Sequence, residues 1–111
     1  MLKPGSYEVL IFQTSTGNQP FLEWLDGLAA KTQERVVDRV ARLRRGQFGD
    51  FKSLENGLYE LRLFFGPGYR VYFGEHRKKI VLILNGGDKS SQKRDIKLAQ
   101  EFWSNYLEDN K

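Results

Sequence analysis

The sequence predicts one α+β domain: an antiparallel sheet, a helical hairpin and a C-terminal helix. Three observations predict it. Leu58–Phe65 and Tyr69–Glu75 alternate apolar and polar residues on either side of Gly66-Pro67-Gly68, a dihedral combination suited to a turn. Ile80–Leu84 follows as five aliphatic residues in a row, which suits a strand buried on both faces. Helical periodicity occurs before this block in two adjacent segments and after it in one. The 111 residues suit a single domain over 1–111, and a chain of this size can bury roughly 65% of its unfolded surface.

In order, Tyr7–Thr14 is a first strand, rich in β-branched and aromatic residues. Asn18 is an N-cap candidate and Pro20 fits the first turn of a helix over Pro20–Leu28, with Phe21, Trp24, Leu25 and Leu28 at i, i+3, i+4, i+7. That spacing makes Trp24 a core residue rather than a base-stacking platform. A second helix over Lys31–Arg45 carries an apolar stripe of Val36, Val37, Val40 and Leu43, and Gly46 is its C-cap. The short link between the two helices predicts an antiparallel hairpin. Phe48–Asn56 is irregular or holds a short strand near Phe51–Leu54, and Asn56-Gly57 reverses the chain. Closing the next hairpin with Phe65 opposite Tyr69 sets Arg62 opposite Tyr72 and Phe64 opposite Arg70. Glu60, Arg62, Arg70 and Tyr72 then share one face, with Glu60 orienting Arg62. Asn85–Gln92 is a polar, Gly-rich loop, and Ser90 or Ser91 caps the helix Lys93–Glu108. The order is β-α-α-β-β-β-α, with the helices packed on the apolar face of the sheet.

Composition narrows the chemistry. The absence of Cys rules out disulfides, thiol catalysis and thiolate metal sites, and fits a cytoplasmic location. A single His removes most imidazole-based catalysis and metal sites. The opening segment MLKPGSYEVL has no signal-peptide pattern, and the longest aliphatic run is too short to span a bilayer. Gly66-x-Gly68 and Gly86-Gly87 lack the further residues of dinucleotide and P-loop fingerprints. The net charge of +4 is compatible with a nucleic acid or an acidic partner.

A cationic surface remains. Arg62 and Arg70 lie on the sheet beside Tyr72, and Lys89, Lys93, Arg94 and Lys97 lie on the adjoining loop and helix start. Such a group suits a phosphodiester, and fixed cations also stabilise the extra charge of a pentacoordinate phosphorus. Alternatively, Arg62 and Arg70 are ordinary strand residues paired with Glu60 and Glu75. Five Arg lie within the eleven residues 35–45, with Arg35, Arg39 and Arg42 along one helical face. They form either a solvated face favoured by the helix dipole or a ridge of phosphate contacts.

The segments LYELRLFFGPGYRVYF and IVLILNGGDKSSQKRDIKLAQEFW, with the early PFLEWLDGL helix, resemble the RelE/HigB-like toxins of type II toxin–antitoxin systems. The similarity is greatest to the phage-associated addiction module killer subgroup. This resemblance implies a RelE-like fold and a small cytoplasmic toxin neutralised by a helix-turn-helix antitoxin. It implies mRNA cleavage on the ribosome, by attack of the substrate's own 2′-OH on the adjacent phosphate, with no metal or cofactor. It assigns Arg62 and Arg70 to the scissile phosphate and its transition-state charge. Lys89 is an acid or a second phosphate contact, and Gln92, like Lys89, matches the basic loop after the last strand. Tyr72, Gln92, Lys93, Arg39 and Arg42 are the wider RNA-binding set. The general base is unassigned, and Phe65 stands where RelE has an Arg. ParE-like gyrase inhibitors share the fold, so a non-enzymatic poison and an inactive antitoxin-binding homologue are the competing expectations.

Overall fold

The computed structural model describes residues 6–111; the first five residues of the segment read above for a signal peptide lie outside them. The elements are β1 (Glu8–Ile11), α1 (Pro20–Asp26), α2 (Ala30–Ala41), a 3-10 turn (Arg42–Arg45), β2 (Phe51–Ser53), β3 (Leu58–Arg62), β4 (Arg70–His76), β5 (Ile80–Gly87), a second 3-10 turn (Lys89–Ser91) and α3 (Gln92–Asp109). The five strands lie in the order β1-β5-β4-β3-β2. The α+β class and the helical hairpin match expectation. The short strand suggested near Phe51 exists as an exposed edge of three residues.

Two features differ from the predicted sheet. β1 pairs parallel to β5, because the helical hairpin carries the chain back across the sheet before the antiparallel strands begin. β5 therefore lies inside the sheet with a strand on each side, which accounts for its unbroken aliphatic run. The helices also cover both faces instead of one. Leu61, Leu63, Val71, Phe73, Val81 and Ile83 meet Phe21, Val36, Val40 and Leu43 on the α1–α2 side. Leu58, Tyr72, Leu82 and Leu84 meet Ala99 and Trp103 on the α3 side. The apolar stripe of α3 needs an apolar partner, and the second face of β3–β5 supplies it.

Each face seats one Trp on a glycine. A Cβ on Gly86 would lie 2.3 Å from the Trp24 ring, and one on Gly74 would lie 2.3 Å from the Trp103 ring. Trp24 is thus a packing residue, as its spacing predicted. Trp103 also donates its indole N–H to the Asn56 carbonyl at 2.7 Å, tying α3 to the β2–β3 turn.

Asn18 does not cap α1. Gln19 holds the cap position without a side-chain bond, while Asn18 closes a loop by donating its N–H to Thr14 Oγ1 at 3.1 Å. Gly46 does end the helical segment, at φ +74°. The β4–β5 turn carries Arg77 at φ +57° and Lys78 at φ +59°, both in the left-handed region that L residues disfavour. Lys78→Gly is expected to stabilise the fold by about 1 kcal/mol, read as a higher melting temperature.

The β3–β4 register differs from expectation by two residues. Leu63 donates to the Tyr69 carbonyl at 3.0 Å, so the loop spans Phe64–Gly68. Arg62 then stands opposite Arg70, and Glu60 opposite Tyr72. A slip of two preserves the side-chain face, so the expected group still assembles.

Candidate functional site

Glu60 is the centre of the site. It has no solvent exposure. Arg62 donates from Nε to Glu60 Oε1 at 3.2 Å. On the other oxygen, Gln92 donates from Nε2 at 2.9 Å and Tyr72 from its hydroxyl at 3.3 Å. Arg70 Nε approaches the same Oε2 at 3.7 Å. One buried carboxylate therefore draws together two cross-strand guanidinium groups, which would otherwise repel each other. Burial, reinforced by Glu60, pushes the Tyr72 phenol well above its ordinary value and keeps it a proton donor to the carboxylate.

The elements position these groups by register. Glu60 and Arg62 lie two apart on β3, and Tyr72 and Arg70 face them on β4. In β5 an extra residue between the partners of Tyr72 and Phe73 makes a bulge. The bulge leaves Leu82, Leu84 and Asn85 turned the same way and sets Gly87 opposite Arg70. Asn85 then donates to the Asp95 carbonyl at 3.0 Å, anchoring the start of α3. A Cβ on Gly87 would collide with the Asp95 carboxyl, so this close approach requires glycine. The anchoring holds Gln92 within reach of Glu60.

Arg70 is locked on a second side. Its Nη1 donates to the Gly68 carbonyl at 2.7 Å, and its side chain is largely enclosed. Arg62 is more open, and only its Nε has a protein partner among the described residues. Lys89 is exposed beside the hairpin loop, with its N–H 3.4 Å from the Pro67 carbonyl. Asp88 caps this turn by accepting from Ser90 N–H at 2.8 Å and donating its own N–H to Ser91 Oγ at 3.3 Å. Bonds from the Ser90 hydroxyl and amide hold the Asp88 carboxyl below its ordinary range, leaving an anion near Arg70. The Ser91 hydroxyl, one of the two expected caps of α3, instead donates to Asp95 Oδ2 at 2.5 Å.

The remaining expected residues divide. Lys93 is exposed on the first turn of α3. Gln92 reaches the site, with its amide committed to Glu60. Tyr72 is fully buried and serves Glu60, so it is not placed to touch a phosphate from outside. Arg39 is likewise turned inward. Its Nη2 donates to the Phe48 carbonyl at 2.5 Å and its Nη1 is buried. Burial, followed by the charge of Arg42, lowers its pKa. Arg42 stays exposed and pairs with Asp38 at 3.5 Å. Arg35 lies over the Phe65 ring at 3.8 Å. The sequence-read arginine ridge therefore presents Arg35 and Arg42 outward, across a cleft that Arg62, Phe64 and Phe65 also line. The exposure of Phe64 was not foreseen: strand alternation gives its side without revealing that the sheet ends before it.

His76 lies at the other end of β4, about 20 Å from Arg70 for six residues of strand. Its Nδ1 is 3.2 Å from the Tyr106 hydroxyl. Burial, then Arg77, lowers its pKa below the ordinary 6.5. As pH falls below 6.5 the unfolded chain takes up this proton first, so the folded state loses stability in that window and none above it. His76→Gln, which can still bond Tyr106, is expected to flatten the fall in melting temperature between pH 6.5 and about 5. Among the described residues no three His, Asp or Glu gather as a metal site would need, and no helix is long and apolar enough to cross a membrane.

Residues 23–103, from within α1 through α2 and the Glu60 cluster into α3, match the family model described as Phage derived protein Gp49-like (DUF891). The chain is 44% identical over 87 residues to an uncharacterized protein of Haemophilus influenzae, an overlap covering 74% of this chain and 88% of that one. With its extent and position across the site, this similarity shows that the chain belongs to the phage-derived Gp49-like family, which is associated with toxin–antitoxin addiction modules.

Proposed function

We propose that the chain is the RelE/HigB-like toxin of a type II toxin–antitoxin pair and acts as an endoribonuclease on mRNA at the ribosome. The observation that carries this reading is the cross-strand Arg62–Arg70 pair held on buried Glu60. In the proposed reaction the 2′-oxygen of the substrate forms a bond to the adjacent phosphorus. The bond from phosphorus to the 5′-oxygen breaks, leaving a 2′,3′-cyclic phosphate and a 5′-hydroxyl. The 2′-proton passes to an acceptor outside the cluster, and the leaving oxygen takes one from Lys89 or water. Arg62 and Arg70 meet the charge that gathers on the phosphoryl oxygens, where preoriented donors lower the barrier. The cofactor set is empty: chain cations and the substrate's own hydroxyl supply the chemistry. The natural inhibitor is a helix-turn-helix antitoxin, and the site of action is the cytoplasm.

The remoteness of His76 favours a second reading, in which the chain poisons gyrase by binding without catalysis. Primer extension on a reporter mRNA after brief induction separates the two. Cleavage only when the start codon is intact supports a ribosome-dependent nuclease, and cleavage in both messages supports a free one. Growth arrest with intact mRNA and damaged DNA supports the gyrase reading. Unimpaired growth without antitoxin identifies an inactive homologue.

A further inference from the structure

Phe64 is 82% exposed, by far the most open large apolar side chain among the described residues. The hairpin does not need it for packing. Its neighbour Phe65 fills that role, lying against Tyr69 with ring centroids 5.6 Å apart and beneath Arg35. Phe64 itself makes no ring contact among the described residues. It sits two residues beyond Arg62, roughly 7 Å along the chain if extended. Cations share its cleft: Arg62, which Glu60 holds together with Arg70, on the sheet side, and Arg35 of α2 and Arg42 of the following 3-10 turn on the helical side. The acidic residues of that cleft are Asp38, already paired with Arg42, and Asp50.

A bare aromatic ring set among cations is suited to single-stranded nucleic acid, whose bases stack on the ring while its phosphates meet the cations. A duplex keeps its base faces covered. We infer that Phe64 is a stacking platform for a base of single-stranded RNA, next to the phosphate held by Arg62 and Arg70. The inference rests on the nuclease reading and adds to it a residue that positions substrate by its base. Stacking of this kind accepts any base, so Phe64 contributes affinity and alignment more than sequence choice.

The test titrates the full chain at low salt against a fluorescein-labelled single strand with 2′-O-methyl riboses and one 2-aminopurine. Phe64→Ala is expected to weaken binding about tenfold and to remove the fluorescence quenching that stacking causes. Its salt slope should match the parent, whereas Arg62→Ala should make the slope shallower by about one. Phe64→Trp should retain both affinity and quenching, and Phe64→Leu should lose both. The exposed position predicts unchanged melting temperatures for all three. Parental affinity and quenching in Phe64→Ala would overturn the inference. So would loss of antitoxin capture in that variant with RNA binding intact, which would make Phe64 a protein-docking residue. Failure of the parent to bind the single strand also overturns it, while primer extension judges the nuclease reading separately.

Discussion

Arg70→Ala is expected to abolish growth arrest and to lower mRNA cleavage by about 10²–10³-fold, the usual loss when one preoriented donor to a developing oxyanion is removed. The guanidinium is held from two directions, by the Gly68 carbonyl at 2.7 Å and by Glu60 at 3.7 Å. A side chain fixed before substrate arrives loses little freedom on reaching the transition state, so its charge acts at nearly full strength. Arg70→Lys keeps the charge but not the fork that bonds Gly68 and faces Glu60 together, and should recover only part of the activity. Circular dichroism and antitoxin pull-down should match the parent for both variants, because the core contacts of β4 come from Val71, Tyr72 and Phe73. Parental toxicity in Arg70→Ala would remove Arg70 from the mechanism.

Glu60→Leu carries the largest expected effect on stability. The carboxylate is fully buried and accepts from Arg62, Tyr72 and Gln92 while neutralising Arg70. Removing it orphans two neutral donors and leaves two guanidinium groups facing each other. Breaking a buried ion pair from one side costs about 3–5 kcal/mol, which for a domain of this length lowers the melting temperature by roughly 15–25 °C. Glu60→Gln keeps an acceptor but no charge, and should cost about 1–3 kcal/mol. Because Glu60 acts through the two arginines, Glu60→Gln should also reduce cleavage under conditions where it remains folded. Thermal melts with cleavage measured well below each midpoint check both effects. A folded, fully active Glu60→Gln would show that Arg62 and Arg70 need no carboxylate to hold them.

The shared face of Glu60, Arg62, Arg70 and Tyr72 was legible because strand periodicity is two and survives a register error of two. The pairing itself was not, because loop length depends on where Leu63 and Tyr69 bond, which alternation does not encode. The paired aliphatic faces of β5 were legible in Ile80–Leu84, whereas the bulge at Leu84 was hidden within that apolar run. The parallel placement of β1 depends on a long crossover and leaves no local signature. Residue type marked Tyr72 and Arg39 as candidates for phosphate contact, but burial turned both to structural duty. Phe64 escaped notice for the converse reason. Alternation set Phe64 on the face of Arg62 and Arg70, but it does not reveal that the sheet ends at Arg62 and leaves that ring uncovered while Phe65 packs on Tyr69.

In the proposed reaction the substrate's own 2′-oxygen attacks a phosphate held by Arg62 and Arg70. The most direct measurement uses a translated message carrying a single 2′-deoxynucleotide at a mapped cleavage site, beside the all-ribose control. The control is expected to be cleaved to a 5′-hydroxyl fragment, with no cleavage at the deoxy position. Cleavage at the deoxy position, or a 5′-phosphate on the product, would contradict it.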